Sequence, residues 1–453
     1  MARLESLPPE ISRMILYNLG ESMLSGIHAS PHLRRHFMDD EQFSCRKMLA
    51  EQIHPRLFPL ACALYHAEAT TWKPNPGDNH AYTGKVVTFC QEYLRNPRDI
   101  SSLPKDAINL RMMVHMLQFH GVVQRMVPHL GAAVGKLLPQ TIRPNEWIRF
   151  ARCIYLHELG RVVVPCRIRN GNVEDLTAWR AFWSSFAPWE AAGLQMVEHC
   201  IFNKAAYACR RTRFADVKAA VASCEGNEDG VDHSSLTARP FCFHNAADVT
   251  RQASRDDYYA QDVAGNIALQ LGVRSFHLIE GADPLPMEFF KFSQDICRED
   301  NTVGMRASLW YGIKKHCLLW YSTPRRVDDI LSIARRYSQQ DPGTPLRIWM
   351  WSQIHQNIRD DSPLRDLVPQ WRPNFIAPWG ELRDFGFPYM GKCSFLDFSS
   401  MVDLRTVTLP TLDELIHEAS TVAGVVLTQQ HPEPGDHNEV WFTSPNFRYV
   451  AGR

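Results

Sequence analysis

Helical periodicity is the feature of this sequence that most restricts its fold. In most segments apolar residues recur at the i, i+3, i+4 spacing of one helix face, and short stretches rich in proline and glycine separate these segments. We predict helices over Lys85–Leu94, Asp106–His120, Asn145–Leu159, Val173–Phe186, Trp189–Cys209 and Arg325–Tyr337. One candidate strand is AGVVLT at 423–428. The expected fold class is therefore mainly α, with few short strands.

The sequence beyond residue 45 shows no regular internal unit. We find no period of the leucine-rich, WD40 or kelch kind. Residues 46–453 are therefore expected to form an irregular α-rich domain. The break CEGNEDGVDHSS at 224–235 leaves open a division of this domain near 224–248.

Composition excludes some classes of partner. The 453 residues include 49 basic and 49 acidic side chains, so no global field attracts nucleic acid or an anionic membrane. Hydrophobic residues make up 45% and charged residues 22%, which is typical of a folded globular protein. We expect neither a nucleic acid nor a membrane as partner.

The cysteines and the termini indicate a compartment. The twelve cysteines include no CxxC pair and no zinc-type Cys/His spacing, which predicts reduced, mostly buried thiols and no structural disulfide. The sequence has no signal-peptide pattern and no apolar run of the roughly 18 residues that span a membrane. We expect a cytoplasmic or nuclear protein that holds no metal and no cofactor.

The N-terminal stretch LPPEISRMILYNL predicts a first short helix. Pro9 suits the first helical position because its missing N–H would have no partner there, and Glu10 complements the positive end of the helix dipole. Gly20 is a natural stop. The apolar residues that share one face are Ile11, Met14, Ile15 and Leu19.

Two further short helices are predicted before residue 45. The second carries Met23, Leu24 and Ile27. The third begins at Ser30-Pro31, an N-cap followed by proline at N1, and places Leu33 and Phe37 four residues apart on one face. A unit this small rarely buries enough surface to be stable alone, so part of its apolar surface needs a cover. Either the rest of this chain or a partner supplies it.

This N-terminal segment resembles a known family motif. The order Leu7-Pro8-Pro9-Glu10-Ile11, then Ile15-Leu16, Leu19, Leu24, Ile27, Ala29-Ser30-Pro31, Leu33 and Phe37 is similar to the F-box, in the divergent form common in large fungal families. The resemblance covers residues 4 to about 45. It implies a three-helix F-box-like domain at residues 4–45, followed by the α-rich domain at 46–453.

The resemblance also implies a function. F-box helices dock on the Skp-family linker protein and, through it, on the cullin of an SCF-type cullin-RING ubiquitin ligase, while the remainder of the chain selects a target protein. A non-catalytic substrate-recognition adaptor is therefore expected, with a target that the sequence does not identify. Carried over to matching positions, the residues expected to contact or directly support the linker are Leu7, Pro8, Pro9, Ile11, Ile15, Leu19 and Leu24.

Motifs for catalysis or metal binding are incomplete. The stretch GAAVGKL at 131–137 has three residues between its glycines and a leucine after the lysine, so it lacks the spacing and the hydroxyl of a phosphate-binding loop. His157-Glu158 has no second histidine at i+4, and His115 and His120 do not share a helix face well. We therefore predict polar groups of the core or of a helix surface, not ligands.

Two clusters keep other interpretations open. His199, Cys200 and Cys209 fall on one predicted helix, where buried thiols are the expected interpretation. Aromatic and arginine residues alternate over 349–389, which is typical of a binding surface or of an aromatic core.

The alternatives to the adaptor are an enzyme whose site is assembled from distant residues and an interaction or scaffold protein with an F-box-like fold outside a ligase. We assign no catalytic residue.

Overall fold

The computed structural model describes a defined part of the chain. These residues are 7–19, 23–39, 41–72, 79–95, 100, 103–104, 107–133, 142–165, 168–169, 172–173, 176–209, 268–269, 271–280, 327–338, 345–347, 349–350 and 411–421. At some helical positions, Leu24 among them, only the backbone is described.

The described residues are mainly helical, which confirms the predicted fold class. The α-helices are α1 Pro9–Asn18, α2 Met23–Ala29, α3 Pro31–Met38, α4 Glu41–Gln52, α5 Phe58–Ala69, α6 Asn79–Phe89, α7 Leu110–Ala133, α8 Pro144–Val163, α9 Leu176–Trp183, α10 Pro188–Cys209, α11 Phe276–Ile279, α12 Val327–Ser338 and α13 Leu412–Thr421. A π-helical turn, Cys90–Arg95, continues α6, and a 3₁₀ turn, Val273–Ser275, precedes α11. Two strands, β1 Ile168–Arg169 and β2 Asn172–Val173, pair antiparallel.

The first helix begins as its sequence predicts, but its buried face is different. Pro8 caps α1 in an extended conformation, with Pro9 at the first helical position. The apolar stripe does not all face inward: Leu16 is fully buried beside the buried Ser12, whereas Ile11 and Met14 are exposed. The buried face of α1 therefore differs from the face predicted from apolar spacing, because the buried face includes the polar Ser12.

Helices α1, α2 and α3 pack on one another. The Ser30 hydroxyl accepts a hydrogen bond from the Leu33 N–H at 3.3 Å, which confirms the predicted N-cap of α3. Leu33 and Phe37 are buried on one face of α3, as expected, and Ile27 of α2 is buried with them. These side chains and Leu16 form the interior of the N-terminal helices.

The predicted boundary at residue 45 lies in the middle of α4. Cys45, Met48 and Leu49 are buried, and α4 packs on α7. The Glu41 carboxylate accepts a hydrogen bond from the Leu110 N–H at 2.7 Å, so the first turn of α4 is fixed to the start of α7. The contacts of α4 therefore join it to the helices that follow it in sequence.

The larger assembly, called here the helical body, comprises α4 to α10 and residues 271–280. Helix α8 packs on α5, α7 and α10, so α8 is buried along most of its length. Helix α7 begins later than predicted, at Leu110 rather than Asp106, and continues past His120 to Ala133. Pro128 lies inside it, where a proline usually ends a helix, and its neighbour Val127 is buried.

Other predicted helices differ mainly at their ends. The predicted helix Val173–Phe186 is shorter in the structure, because Val173 pairs with Ile168 in the strand ladder and α9 covers only Leu176–Trp183. The helix predicted over Lys85–Leu94 starts too late, because α6 already begins at Asn79. The predictions for α8, α10 and α12 agree with the structure to within a few residues. The candidate strand at 423–428 and the proposed division near 224–248 lie outside the described residues.

None of the described helices combines the length and the apolar character of a membrane span. Helices α12 and α13 pack on each other, and α12 presents the buried Ile330, Ala334 and Tyr337.

Candidate functional site

The N-terminal helices expose apolar side chains on one side of α1. Ile11 is 40% exposed and Met14 is 55% exposed, while Leu16 on the same helix is 0% exposed. Pro8 and Pro9 are also exposed at the start of the helix. Pro8, Ile11 and Met14 follow one another at three-residue spacing, so they lie on one side of the helix. We call Pro8, Pro9, Ile11 and Met14 the outer face of α1.

The structure separates the residues predicted to contact a linker into two sets. Pro8, Pro9 and Ile11 belong to the outer face. Leu7 is half-buried, and Ile15 and Leu19 are partly buried and pack against the core, so these two side chains support the helix from within. The side chain of Leu24 lies outside the described residues.

Three exposed apolar residues were not among the predicted contacts. Met14 is as exposed as any large apolar side chain that the structure describes, and its i+3 relation to Ile11 was the signal that could have identified it. Met38 at the end of α3 and Phe43 on α4 are each 55% exposed as well. No sequence pattern distinguished these two from core residues.

Helices α1 and α3 are linked by one buried polar contact. The buried Ser12 hydroxyl lies 3.0 Å from Nε2 of His32. The His32 ring meets the ring of His36 edge to face, with centroids 4.5 Å apart. The N-terminal helices therefore share a side-chain hydrogen bond, with the two rings beside it.

A second candidate site is a cluster of charged groups inside the helical body. Glu158 on α8 is fully buried and forms an ion pair with Arg161 one turn later. Its other oxygen accepts a hydrogen bond from the Val273 N–H at 2.9 Å. Gly272 has a positive φ of 77°, and a Cβ there would lie 2.3 Å from Nε of Arg161. Only glycine allows this turn to approach the pair so closely.

The same segment is fixed a second time by Arg274. Its guanidinium donates to both oxygens of Glu68 on α5, at 2.9 and 2.6 Å, in the bidentate geometry that favours arginine. His115 on α7 contacts Glu68 and lies 3.2 Å from Arg274. The guanidinium also lies 5.2 Å from the centre of the Phe119 ring. Residues 271–280 are thus joined to α5, α7 and α8 through charges.

The environment of each group determines its protonation. Burial by itself would raise the pKa of the Glu158 carboxyl, but the Arg161 guanidinium, His157 and Arg274 together lower that pKa. The Glu158 side chain is therefore an anion held by its partners. Burial lowers the pKa of His120 to about 4, although a hydrogen bond with the backbone of Gln52 opposes the shift.

The incomplete motifs are absorbed into the core. His120 contacts the Tyr155 hydroxyl at 3.1 Å, while His115 takes part in the Arg274 cluster, so the two histidines do not form a pair. His157 is buried and lies 3.6 Å from Glu198. Within the described residues, no group of three or more His, Cys, Asp or Glu side chains is placed to hold a metal ion.

The cysteine and glycine clusters have structural positions. His199 contacts the side chain of Asn203 at 2.7 Å, and burial raises the pKa of the Cys200 thiol to about 12. Such a thiol is a poor nucleophile, as expected of a buried cysteine. The side chain of Cys209 is not described. Gly131 lies in the last turn of α7, and the rest of GAAVGKL from residue 134 lies outside the described residues.

The aromatic and arginine region at 349–389 is described only at its start. Trp349 is buried and meets the Trp189 ring with centroids 5.7 Å apart, and Tyr337 meets the same ring at 5.5 Å. Trp349 therefore belongs to an aromatic core. The remaining residues of this region lie outside the described part of the chain.

Comparisons with known proteins leave both candidate sites without a family assignment. No protein-family model matches the chain, and the searches of curated proteins and of solved structures found no match.

Proposed function

We propose that this protein is an F-box-like substrate-recognition adaptor of an SCF-type cullin-RING ubiquitin ligase. In this proposal α1 to α3 bind a Skp-family linker, and the helical body with the rest of the chain presents a target protein in the cytoplasm or nucleus. The observation that carries the proposal is the exposed outer face of α1 within a segment whose sequence resembles the F-box.

The exposure of these residues fits binding to a helical partner. An apolar helix face laid on the helices of a partner is a common recognition mode, and burial of Ile11 and Met14 would contribute on the order of 25 cal/mol per Å² of apolar surface. The inner side chains Leu16 and Phe37 are already buried, so the N-terminal helices have an interior without the partner. The outer face is therefore available for a second contact.

The test places charges on the outer face. In the double variant Ile11→Asp, Met14→Asp, two carboxylates must be desolvated when a partner covers them, which costs several kcal/mol and so several decades of affinity. We expect a purified Skp-family linker to be captured by the wild-type chain and not by the variant. The melting temperature should change little, because both side chains are exposed in the free protein.

A matched control replaces an exposed apolar side chain elsewhere. Tyr207→Asp changes a residue of α10 that is 53% exposed, and linker capture should be retained. Absence of capture by the wild-type chain would refute the proposal. A large fall in the melting temperature of the double variant would show that the outer face is packed against this same chain.

Addition of a cullin separates the adaptor from a scaffold protein. An adaptor should bring the cullin into the complex through the linker, whereas an interaction protein outside a ligase should bind the linker alone or not at all. An enzyme would show neither behaviour.

A further inference from the structure

We propose that the exposed face of α3 docks on acidic side chains of the Skp-family linker that binds the N-terminal helices. This face consists of Pro31, Arg34, Arg35 and Met38, and we call it the outer face of α3. The inference rests on the proposed function, because it assigns a second surface, with a chemistry of its own, to the same partner. The contacts expected of the outer face of α1 are apolar, whereas those of α3 are ionic.

The spacing of its residues defines the outer face of α3. Its four members lie at positions i, i+3, i+4 and i+7 of one helix, so they share one side of it. All four side chains are exposed, Met38 to 55%. The buried residues Leu33 and Phe37 lie on the opposite side of α3. The outer face is therefore the side of α3 that its own unit leaves uncovered.

The two guanidinium groups of this face have no carboxylate partner in the described part of the chain. Residues 23–38, which span α2 and α3, contain no aspartate and no glutamate. Neither Arg34 nor Arg35 forms an ion pair with a described residue. Asp39, the next residue after α3, lies 3.9 Å from Nδ1 of His36. Two adjacent positive charges are thus left uncompensated at the surface.

Cations at the surface of the helical body are arranged differently. Lys47 of α4 pairs with Glu51 one turn later at 3.9 Å, and Arg125 of α7 pairs with Glu280 at 3.3 Å. Such faces balance their charges locally, as solvated helix surfaces typically do. The outer face of α3 does not, so an outside group is needed to balance it.

The composition of the outer face of α3 fits an acidic protein surface. Arginine and methionine are enriched in protein interfaces, whereas lysine, aspartate and glutamate are depleted. A guanidinium binds a carboxylate through two parallel hydrogen bonds, which favours acidic side chains as its partners. A nucleic acid or an anionic membrane attracts a larger basic cluster, and this chain has a formal net charge of zero.

Ionic contacts at α3 give the complex a property that apolar contacts at α1 do not give it. Complementary charges accelerate association and disfavour wrong partners, and salt screens them. Binding of the linker should therefore weaken as the salt concentration rises, and this dependence should come from Arg34 and Arg35.

The test measures the affinity of the full chain for a purified Skp-family linker. In Arg34→Glu with Arg35→Glu, two carboxylates face the acidic groups of the linker, so we expect binding at least about tenfold weaker. The matched control Arg111→Glu changes an exposed, unpaired arginine at the start of α7 and should bind as the wild type does. The melting temperature should change little in both, because these side chains are exposed.

The same measurement at two salt concentrations isolates the ionic part. From about 0.1 to about 1 M sodium chloride the Debye length shortens from about 10 to about 3 Å, so the wild-type affinity should fall and that of the double variant should fall less. Arg34→Gln with Arg35→Gln removes the charges without adding repulsion and should weaken binding in the same direction. This variant decides the matter if the charge reversal unfolds the protein.

Failure of this inference is distinct from failure of the proposed function. If the wild-type chain binds the linker, and both arginine double variants bind it as tightly with the same salt dependence, the role of α3 is overturned and the adaptor function stands. If the wild-type chain does not bind the linker, both are refuted. Binding of a short DNA duplex that the double reversal abolishes would assign the outer face of α3 to a nucleic acid and overturn the inference.

Discussion

The N-terminal helices α1 to α3 and the helical body differ in what they bury and in what they leave exposed. The interior of the N-terminal helices is formed by Leu16, Ile27, Leu33 and Phe37 with the hydroxyl of Ser12, while Ile11 and Met14 are exposed. The helical body instead encloses ionised groups, of which Glu158 is fully buried.

This difference shows two ways in which helices complete a core. A buried charge is tolerated only when its partners are in place. For Glu158 these partners are Arg161, on the same helix, and the Val273 N–H, more than a hundred positions away in sequence. The helical body thus supplies the partners of its buried carboxylate from within itself. The N-terminal helices leave apolar surface available for something outside them.

Two N-terminal deletions that end at different residues should show the largest difference in thermal unfolding. A chain that lacks residues 1–40 keeps α4 and should retain a cooperative thermal transition of the helical body. A chain that lacks residues 1–52 also loses Cys45, Met48 and Leu49 from the core, together with the Glu41 bond to α7, and should lose that transition. Thermal unfolding followed by circular dichroism distinguishes the two.

If the shorter deletion also aggregated without a cooperative transition, the N-terminal helices would be part of the same core as the helical body. The two regions would then differ only in what their surfaces expose. The N-terminal helices would not be a docking unit that is separate from the helical body.

Loss of the buried carboxylate should have the next largest effect. Glu158→Ala leaves the Arg161 guanidinium without its ion pair and the Val273 N–H without its acceptor, so we expect the free energy of unfolding to fall by about 3–5 kcal/mol. Glu158→Gln keeps an acceptor of the same size and should cost less. Urea denaturation of the three proteins measures the difference, and equal stability of wild type and Glu158→Ala would refute the role of this pair.

Acidification should produce a smaller effect through His120. The folded protein holds this histidine neutral down to a pKa of about 4, whereas the unfolded chain binds a proton below about pH 6.5. More protons are then bound in the unfolded state, so stability falls as the pH drops from 6.5 toward 4, by on the order of 3 kcal/mol from this group.

The test compares how the stability of variants changes with pH. His120→Gln should lose less stability than the wild type between pH 7 and pH 4, while the exposed His417→Gln should follow the wild type. The same pH dependence in all three proteins would show that His120 does not titrate as its burial requires.

Local features of the fold were predictable because they depend on neighbouring residues. The cap formed by Ser30, the first-turn prolines Pro9 and Pro31 and the extent of α10 all follow from side chains within one or two helical turns. The prediction ended α7 at His120, whereas the helix continues through Pro128 to Ala133.

The sequence by itself determined that the protein is mainly helical and that three short helices lie at its start. The tertiary structure alone decided which apolar residues of α1 face the interior, because apolar spacing placed Ile11 on the shared face and left out Leu16, the reverse of their burial. It also decided the pairing of Glu158 with Val273 and of Glu68 with Arg274. Such contacts join residues that are distant in sequence, and no local pattern encodes which of many charged side chains will meet when the helices pack.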